Sequence, residues 1–259
     1  MKNLIIVVLV CFSILASAET NAQPENAPFI SGEKLSFKVA FSSALTGNIT
    51  AGNASLKVYY KKEFIENNSC YHIVAEGGTS GFVEFFYNIN EKFESYVDDE
   101  TILPLLFTRR TRENNYKRDD TVRFNHDKQT AQSSRKKISI TPNTRDVVSA
   151  FYYARMQDIS NMKEGGSFDI PYFFDDTITK TRIVYVGKQK IKTKMGTFNC
   201  VVFKPLVLTG RVFEEKFPIT FWITDDKNRI PILIESKLIV GKARIELTSY
   251  NGSAYLAEN

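Results

Sequence analysis

A regular alternation of apolar and polar residues between positions 217 and 250 constrains the fold of this chain more than any other feature. Three runs with a period of two residues follow one another over positions 219–223, 232–240 and 243–247. Polar or glycine-containing segments separate the runs. This pattern is typical of antiparallel strands with one buried and one solvated face. The segment therefore predicts a three-stranded meander.

The same alternation recurs along most of the chain and predicts further strands. They are expected over residues 35–41, 54–60, 70–75, 93–97, 168–173, 181–186, 188–194 and 198–208, with a hairpin over residues 105–124. Gly187 separates two of these runs. We find no repeat of fixed period and no linker inside residues 32–250. The predicted fold class is mainly β, with antiparallel sheets forming a barrel-like or half-barrel single domain.

One helix is predicted near residues 144–158. The segment 142–144 can cap it, and Asp146 lies where the positive end of a helix dipole favours a carboxylate. Val147, Phe151 and Ala154 then recur at helical spacing.

The first 18 residues have the composition of a secretory signal. Lys2 precedes an apolar run that is too short to span a bilayer, and the run ends in Ala16-Ser17-Ala18. Cleavage is expected after Ala18, or alternatively after Ala22. Residues 19–31 are polar and predict a flexible lead-in to the domain at 32–259. The sequence thus predicts a protein exported to the periplasm or cell envelope and not integral to a membrane.

The net charge argues against a nucleic-acid partner. Cleavage after Ala18 would remove Lys2 and no acidic residue, so the formal charge of +5 would become +4. That charge is small and spread along the chain, unlike the basic stripe of a nucleic-acid-binding surface.

Cys70 and Cys200 are the two cysteines outside the predicted signal. In an oxidising compartment such a pair is a candidate disulfide. The alternative is that each thiol is a small buried side chain. Spacing alone does not distinguish the two.

Four short patterns in a fixed order carry a resemblance to a known family. They are Gly32-Glu33, Asp146-x-x-Ser149-x-Phe151-Tyr152-x-x-Arg155, Gly196-x-Phe198-x-Cys200, and Trp222-x-Thr224-Asp225-Asp226 followed by Arg229-x-Pro231. Over residues 32–250 the chain resembles the exported bacterial proteins of the domain-of-unknown-function 3108 family. The resemblance implies an envelope-located antiparallel β protein, with a half-barrel similar to periplasmic lipoprotein carriers. It implies no activity and no catalytic residues.

Pairs of adjacent aspartates are the main candidates for acid–base chemistry. They are Asp98-Asp99, Asp119-Asp120, Asp175-Asp176 and Asp225-Asp226. A glycosidase places two carboxylates across the scissile bond, whereas aspartates at strand ends commonly bond nearby backbone and form turns. We assign no catalytic residue. With His72 and His126 as the only histidines, the chain predicts no metal site, and it lacks the nucleotide-binding and phosphate-binding motifs that would imply a cofactor.

Five side chains are candidates for ligand binding: Arg109, Arg112, Phe86, Tyr87 and Arg155. The arginines at 109 and 112 belong to a basic segment that can bind an anionic headgroup. Alternatively, its positive charges can prevent an edge strand from pairing with another chain. The aromatics belong to the segments 82–87 and 172–174, which do not alternate simply. They can line a cleft, or can fill an ordinary core. Arg155, near the end of the helix, can reach a ligand or a buried carboxylate.

Three hypotheses for function follow. The leading one is a non-enzymatic binding or carrier module for an apolar or amphipathic ligand such as a lipid. The second is an envelope glycan or peptide hydrolase that uses the turn carboxylates. The third is a structural or assembly factor that acts through protein contacts. The sequence carries no signal of oligomeric state.

Overall fold

The computed structural model describes residues 27–207 and 215–252, and the strands in this part of the chain form one sheet of sixteen strands. The strands are β1 (Lys34–Ser43), β2 (Gly47–Val58), β3 (Glu63–Ile65), β4 (Asn68–Thr79), β5 (Ile89–Asp98), β6 (Pro104–Glu113), β7 (Tyr116–Asn125), β8 (Thr130–Ser133), β9 (Lys137–Ser139), β10 (Arg145–Asp146), β11 (Ser167–Phe174), β12 (Thr177–Thr193), β13 (Gly196–Pro205), β14 (Ile219–Thr224), β15 (Pro231–Lys237) and β16 (Lys242–Asn251). The predicted mainly β fold class is confirmed.

The order of the strands follows the chain closely. The sheet runs β10 to β16 in sequence, continues with β1, β2 and β4, and ends at β9, while β3 forms a hairpin on β4. The pairings are antiparallel except for the short parallel pair β10–β11. Among the described strands, the pairing of β1 with β16 joins the two ends of the chain's β region. The predicted meander at the end of the chain corresponds to β14, β15 and β16.

Two helices accompany the sheet in the described residues, α1 (Phe82–Phe86) and α2 (Val147–Arg155). The sequence predicted only the second of them, with longer bounds. α2 begins later because Arg145 and Asp146 pair with β11, and the Asp146 side chain then caps the helix by accepting from the backbone N–H groups of Val148 and Ser149. In the described part of the chain, neither helix has the length and apolar character needed to cross a membrane.

α2 fills part of the space that the curled sheet encloses. It contacts β4 and β5 on one side and β10 and β11 on the other. All of its residues are buried except Tyr153. The helix therefore belongs to the hydrophobic core.

The segment immediately before β1 is also part of the core. Ala27 and Phe29 are buried, and the Phe29 ring packs edge-on against Tyr152 of α2 with centroids 4.8 Å apart. The prediction of a flexible lead-in is therefore wrong for residues 27–31, because Phe29 has an apolar site to fill. Residues 19–26 and the predicted signal lie outside the described residues.

Gly187 does not separate two strands as predicted. β12 continues through it, and the register against β13 shifts between Tyr185 and Gly187. The backbone of Gly187 has φ +130, a conformation that residues with a side chain rarely adopt. The glycine thus forms a bulge inside one long strand.

The strand connections form two ends of the curled sheet, which we call the upper and the lower rim. Ser42 pairs with Asn48 and with Lys242, so the β1–β2 and β15–β16 turns are neighbours. Gly52 pairs with Thr79, which brings the β4–β5 connection to the same end. These connections define the upper rim. The lower rim holds the segment before β1 and the β14–β15 turn.

Candidate functional site

The β4–β5 connection presents three phenylalanines to solvent at the upper rim. Phe82, Phe85 and Phe86 of α1 are 79%, 86% and 66% exposed, and α1 buries none of its residues. The ring of Phe86 contacts those of Phe82 and Phe85 edge-on, with centroids 4.8 and 5.3 Å apart. These rings thus cluster with one another and not with the core.

Neighbouring turns add further exposed apolar side chains to the upper rim. Leu45, in the β1–β2 turn, is 93% exposed, and Ile239 and Val240 protrude from the β15–β16 turn. We call these three residues, with Phe82, Phe85 and Phe86, the apolar rim. Exposed apolar side chains grouped at one end of a molecule commonly mark a binding surface.

A small apolar pocket lies in the upper-rim halves of β1, β2, β4 and β5. Its volume is about 50 Å³. Its wall includes Val39, Ala51, Ala54, Ala75, Ile89 and Phe93. Alanines and glycines form much of this wall, so the space exists because few side chains fill it. Sites that enclose a drug-sized ligand measure roughly 300–1,000 Å³, so this pocket can hold only one end of a lipid-sized molecule.

Glu91 is the buried acidic member of the pocket wall. It is 5% exposed and lines the pocket. Its Oε2 accepts a hydrogen bond of 2.7 Å from Thr111 Oγ1, which in turn accepts one of 2.8 Å from Arg109 Nε. Burial raises the pKa of Glu91 to about 7, against the opposing effects of the Thr111 hydrogen bond and of Arg109 and Arg112.

Next to this pocket, ion pairs connect β6, β7 and the β8–β9 turn to the β11–β12 turn. Asp175 meets Arg109 at 2.7 Å and Arg118 at 3.0 Å. Asp120 meets Arg118 at 2.5 Å and Arg135 at 2.6 Å. Arg135 also contacts Asp176 at 2.5 Å. We call these six residues the seam cluster, because they link strands near one end of the sheet order with strands near the other.

The structure does not bring the predicted ligand-binding residues together into one site. Arg109 faces the enclosed side, where it packs over Phe174 and joins the seam cluster. Arg112 belongs to the opposite face of β6 and pairs with Asp119. The two arginines do not form one site, because an odd spacing places side chains on opposite faces of a strand.

The predicted aromatics separate in the same way. Phe86 belongs to the apolar rim, whereas the hydroxyl of Tyr87 donates a hydrogen bond to Glu113 on β6. Phe173 is buried and packs against Phe124. The ordinary-core alternative therefore describes Phe173, whereas the phenylalanines of α1 are exposed to solvent and fill no core.

Arg155 lies far from the upper rim and does not meet solvent. Its guanidinium forms a buried ion pair with Glu33 at the lower rim, with Nη1 to Oε1 at 2.7 Å. The ligand-binding role considered for Arg155 does not fit this position, because a carboxylate and two backbone carbonyls already occupy the guanidinium.

The remaining adjacent aspartates form turns. Asp98 accepts hydrogen bonds from the backbone and hydroxyl of Thr101, and Asp99 pairs with Lys62. Asp226 accepts from the backbone N–H groups of Asn228 and Arg229 in the β14–β15 turn. The turn-forming role therefore describes the pairs at 98–99 and 225–226. Asp120, Asp175 and Asp176, in contrast, belong to the seam cluster.

Cys70 and Cys200 are free and buried, and no disulfide joins them. They occupy β4 and β13, and five strands separate these two in the sheet order. Burial raises the pKa of Cys70 to about 11 and that of Cys200 to about 12. Of the two alternatives from the sequence, the small buried side chain describes both thiols in this structure.

The residue that sequence reasoning missed is Glu91. The expected strand over residues 93–97 begins four residues earlier, at Ile89. Extending its alternation backwards places Glu91 on the buried face with Phe93 and Ser95. A carboxylate at an inward position of a strand is the signal that would have found it.

Comparisons with known proteins agree with this architecture. A family model described as a protein of unknown function (DUF3108) matches residues 36–248. No curated protein matches the chain. A crystal structure of a β-barrel-like protein of the domain of unknown function DUF1849 from Brucella abortus is similar, with 10% identity and a TM-score of 0.56. That match covers 88% of this chain and 100% of the other chain.

A crystal structure from Parabacteroides distasonis, described as that of a "putative lipoprotein", also matches. The identity is 12%, the TM-score is 0.37, and the match covers 87% of this chain and 98% of the other. The likeness to the Brucella abortus protein concerns the fold, which is barrel-like in both chains.

Proposed function

We propose that this chain, which belongs to the DUF3108 family of proteins of unknown function, is a non-enzymatic binding module of the cell envelope for an amphipathic ligand. The observation that carries this proposal is the coincidence of two apolar features at one end of the molecule. The apolar rim and the apolar pocket involve the same neighbouring strands and connections of the upper rim.

The size of the pocket favours binding of only one part of a ligand. A volume of about 50 Å³ accepts the end of an apolar group and excludes an enclosed lipid. The remainder of the ligand would lie against the exposed rings of Phe82, Phe85 and Phe86. Transfer of apolar surface from water favours such contact by about 25 cal/mol for each Å² buried. The molecule would thus bind one part of a ligand rather than sequester the whole of it.

The hydrolase hypothesis has less support in the geometry. The adjacent aspartates at 98–99 and 225–226 bond their own turns or a nearby lysine, and those at 119–120 and 175–176 contact arginines. These contacts are those of structural carboxylates. An assembly factor would use the same apolar rim for a protein partner, and the experiment below separates this case from ligand binding.

Fluorescence of an environment-sensitive apolar dye, followed by displacement with a lysophospholipid, tests the proposal. We expect the wild-type protein to bind the dye and the lysophospholipid to displace it. Replacing Phe82, Phe85 and Phe86 by Ser should weaken dye binding at least tenfold without lowering the melting temperature, because these side chains are exposed. Phe64→Ser is the matched control, since Phe64 is 72% exposed on β3, away from the upper rim.

Two results would overturn the proposal. One is a folded wild-type protein that binds neither dye nor lysophospholipid, which would favour the assembly factor. The other is an equal loss of binding in Phe64→Ser.

The envelope location is also a proposal, and it rests on the composition of residues 1–18. N-terminal sequencing of the protein from envelope fractions should begin at Glu19 or Gln23, whereas an intact Met1 would contradict export.

A further inference from the structure

One oxygen of the Glu91 carboxyl group lacks a hydrogen-bond partner. Oε2 accepts from Thr111, but Oε1 has no partner among the described residues. The side chain is almost fully buried and forms part of the pocket wall. Leaving a buried acceptor without a donor is unfavourable, and more so when the acceptor is charged. A ligand in the pocket that brings a donor next to Glu91 would satisfy this acceptor.

The network behind Glu91 holds this carboxyl group in place. Arg109 donates through Nε to Thr111 Oγ1, and Thr111 donates to Glu91 Oε2. The Arg109 guanidinium is directed elsewhere, since Nη1 donates to Asp175 at 2.7 Å. Arg109 thus orients Glu91 through a hydroxyl group without forming a direct salt bridge to it.

The two charged residues in the pocket wall, Glu76 and Glu91, are both acidic. Two arginines act on the charge of Glu91, namely Arg109 and Arg112. Each of them already has an aspartate partner, since Arg109 pairs with Asp175 and Arg112, on the other face of β6, pairs with Asp119. An acidic wall in a partly desolvated region attracts a cation and repels an anion.

We infer that the pocket recognises a primary ammonium group carried on a short apolar body, and that Glu91 Oε1 accepts its hydrogen bond. This inference rests on the proposed function, and it names the headgroup chemistry of the ligand. An ammonium group supplies both the missing donor and a compensating charge. A hydroxyl group would supply only the donor, and a carboxylate would supply neither. The alkyl part would contact Val39, Ile89 and Phe93.

Isothermal titration calorimetry with hexylamine, hexanol and hexanoate at pH 8 tests the inference. We expect hexylamine to bind at least tenfold more tightly than hexanol, and hexanoate not to bind. Glu91→Gln should remove this preference by weakening hexylamine at least tenfold while leaving hexanol unchanged. Glu94→Gln is the matched control, because Glu94 lies on the opposite face of β5, where it pairs with Lys92, and it should leave all three affinities unchanged.

A pH series on the wild-type protein keeps the test independent of the folding of Glu91→Gln. An alkylammonium group stays protonated at pH 8, whereas Glu91 becomes ionised as the pH rises through about 7. The hexylamine affinity should therefore rise between pH 5.5 and pH 8, and the hexanol affinity should not.

The outcomes separate the inference from the proposed function. Equal binding of hexylamine and hexanol, or no effect of Glu91→Gln on a folded protein, would overturn the ammonium site and leave the binding module standing. Dye binding at the apolar rim without any binding of hexylamine would do the same. Absence of binding by the dye and by all three hexyl compounds would refute both.

Discussion

Arg155 and Glu33 lie 122 residues apart in the chain and form a bidentate ion pair inside the protein. Nη1 and Nη2 of Arg155 each donate to one carboxylate oxygen at 2.7 Å. Nη2 also donates to the backbone carbonyls of Pro28 at 2.8 Å and Asn228 at 3.0 Å. One guanidinium thereby links α2, the segment before β1 and the β14–β15 turn.

Replacing only one member of this pair should destabilise the fold strongly. Arg155→Met leaves the Glu33 carboxylate buried without its cation, which costs about 3–5 kcal/mol. The double variant with Glu33→Leu should recover part of that loss, because no charge then remains buried. Urea denaturation, monitored by fluorescence, measures the free energy of unfolding. The control is Arg182→Met, which breaks an exposed pair with Asp169 and should change little. Equal effects of Arg155→Met and Arg182→Met would contradict the prediction.

Asp119 and Asp120 are adjacent but should differ in their importance for stability. The Asp120 side chain is 6% exposed and pairs with Arg118 and Arg135, so Asp120→Asn should lower the free energy of unfolding by about 1–3 kcal/mol. Asp119 lies on the exposed face with Arg112, and Asp119→Asn should have little effect. Thermal denaturation of the two variants measures the difference. Equal melting temperatures would show that the seam cluster does not stabilise the fold.

Glu91 should make the stability of the unliganded protein depend on pH. Its pKa is raised to about 7 in the folded state from 4.5, so folding favours the protonated carboxyl group. The resulting stabilisation is fully present below pH 4.5 and is lost as the pH rises through about 7. The shift corresponds to about 3 kcal/mol.

Denaturant unfolding at pH 5 and pH 8 measures this effect. Glu91→Gln should show a smaller loss of stability between the two pH values than the wild-type protein shows. Asp146, whose pKa burial also raises, is unchanged in both proteins and therefore cancels in the comparison. An identical pH dependence in Glu91→Gln would contradict the assignment to Glu91.

Both thiols should be unreactive in the folded protein. Cys70 and Cys200 are buried, and burial raises the pKa of each thiol, so little thiolate is present at pH 8. Alkylation should be slow without denaturant and should modify both cysteines rapidly in guanidinium chloride. Non-reducing peptide mapping checks the result. A linked peptide containing both cysteines would show that the disulfide forms.

Alternation predicted most strands because the burial of every second residue is a local property of the sequence. It did not locate α1, where the aromatic residues are exposed and follow no such period. Nor did it detect the bulge at Gly187, because a glycine is common both in a bulge and at the end of a strand, and alternation does not distinguish the two. The end of the meander's second strand was also misplaced, since Leu238 and Val240 belong to the turn after Lys237.

The site depended on relationships that no local pattern contains. Arg109 and Asp175 are 66 residues apart, and their contact follows from the curl of the whole sheet. The same basic residues that suggested a headgroup site in the sequence therefore meet aspartates in the structure. The opposite orientations of Arg109 and Arg112, in contrast, follow from strand alternation alone.

The order of the strands has a consequence for how the chain reaches its native state. Strands β1–β9 and β10–β16 form two stretches in which each strand pairs with one nearby in the chain. The β1–β16 contact joins residues that are far apart in the chain; Ser36 and Thr248, for example, are 212 positions apart. Because such distant contacts slow folding, we expect this pairing to form last. Until this pairing forms, one edge of β1 stays unpaired. We therefore expect the chain to be most prone to aggregation during this stage of folding.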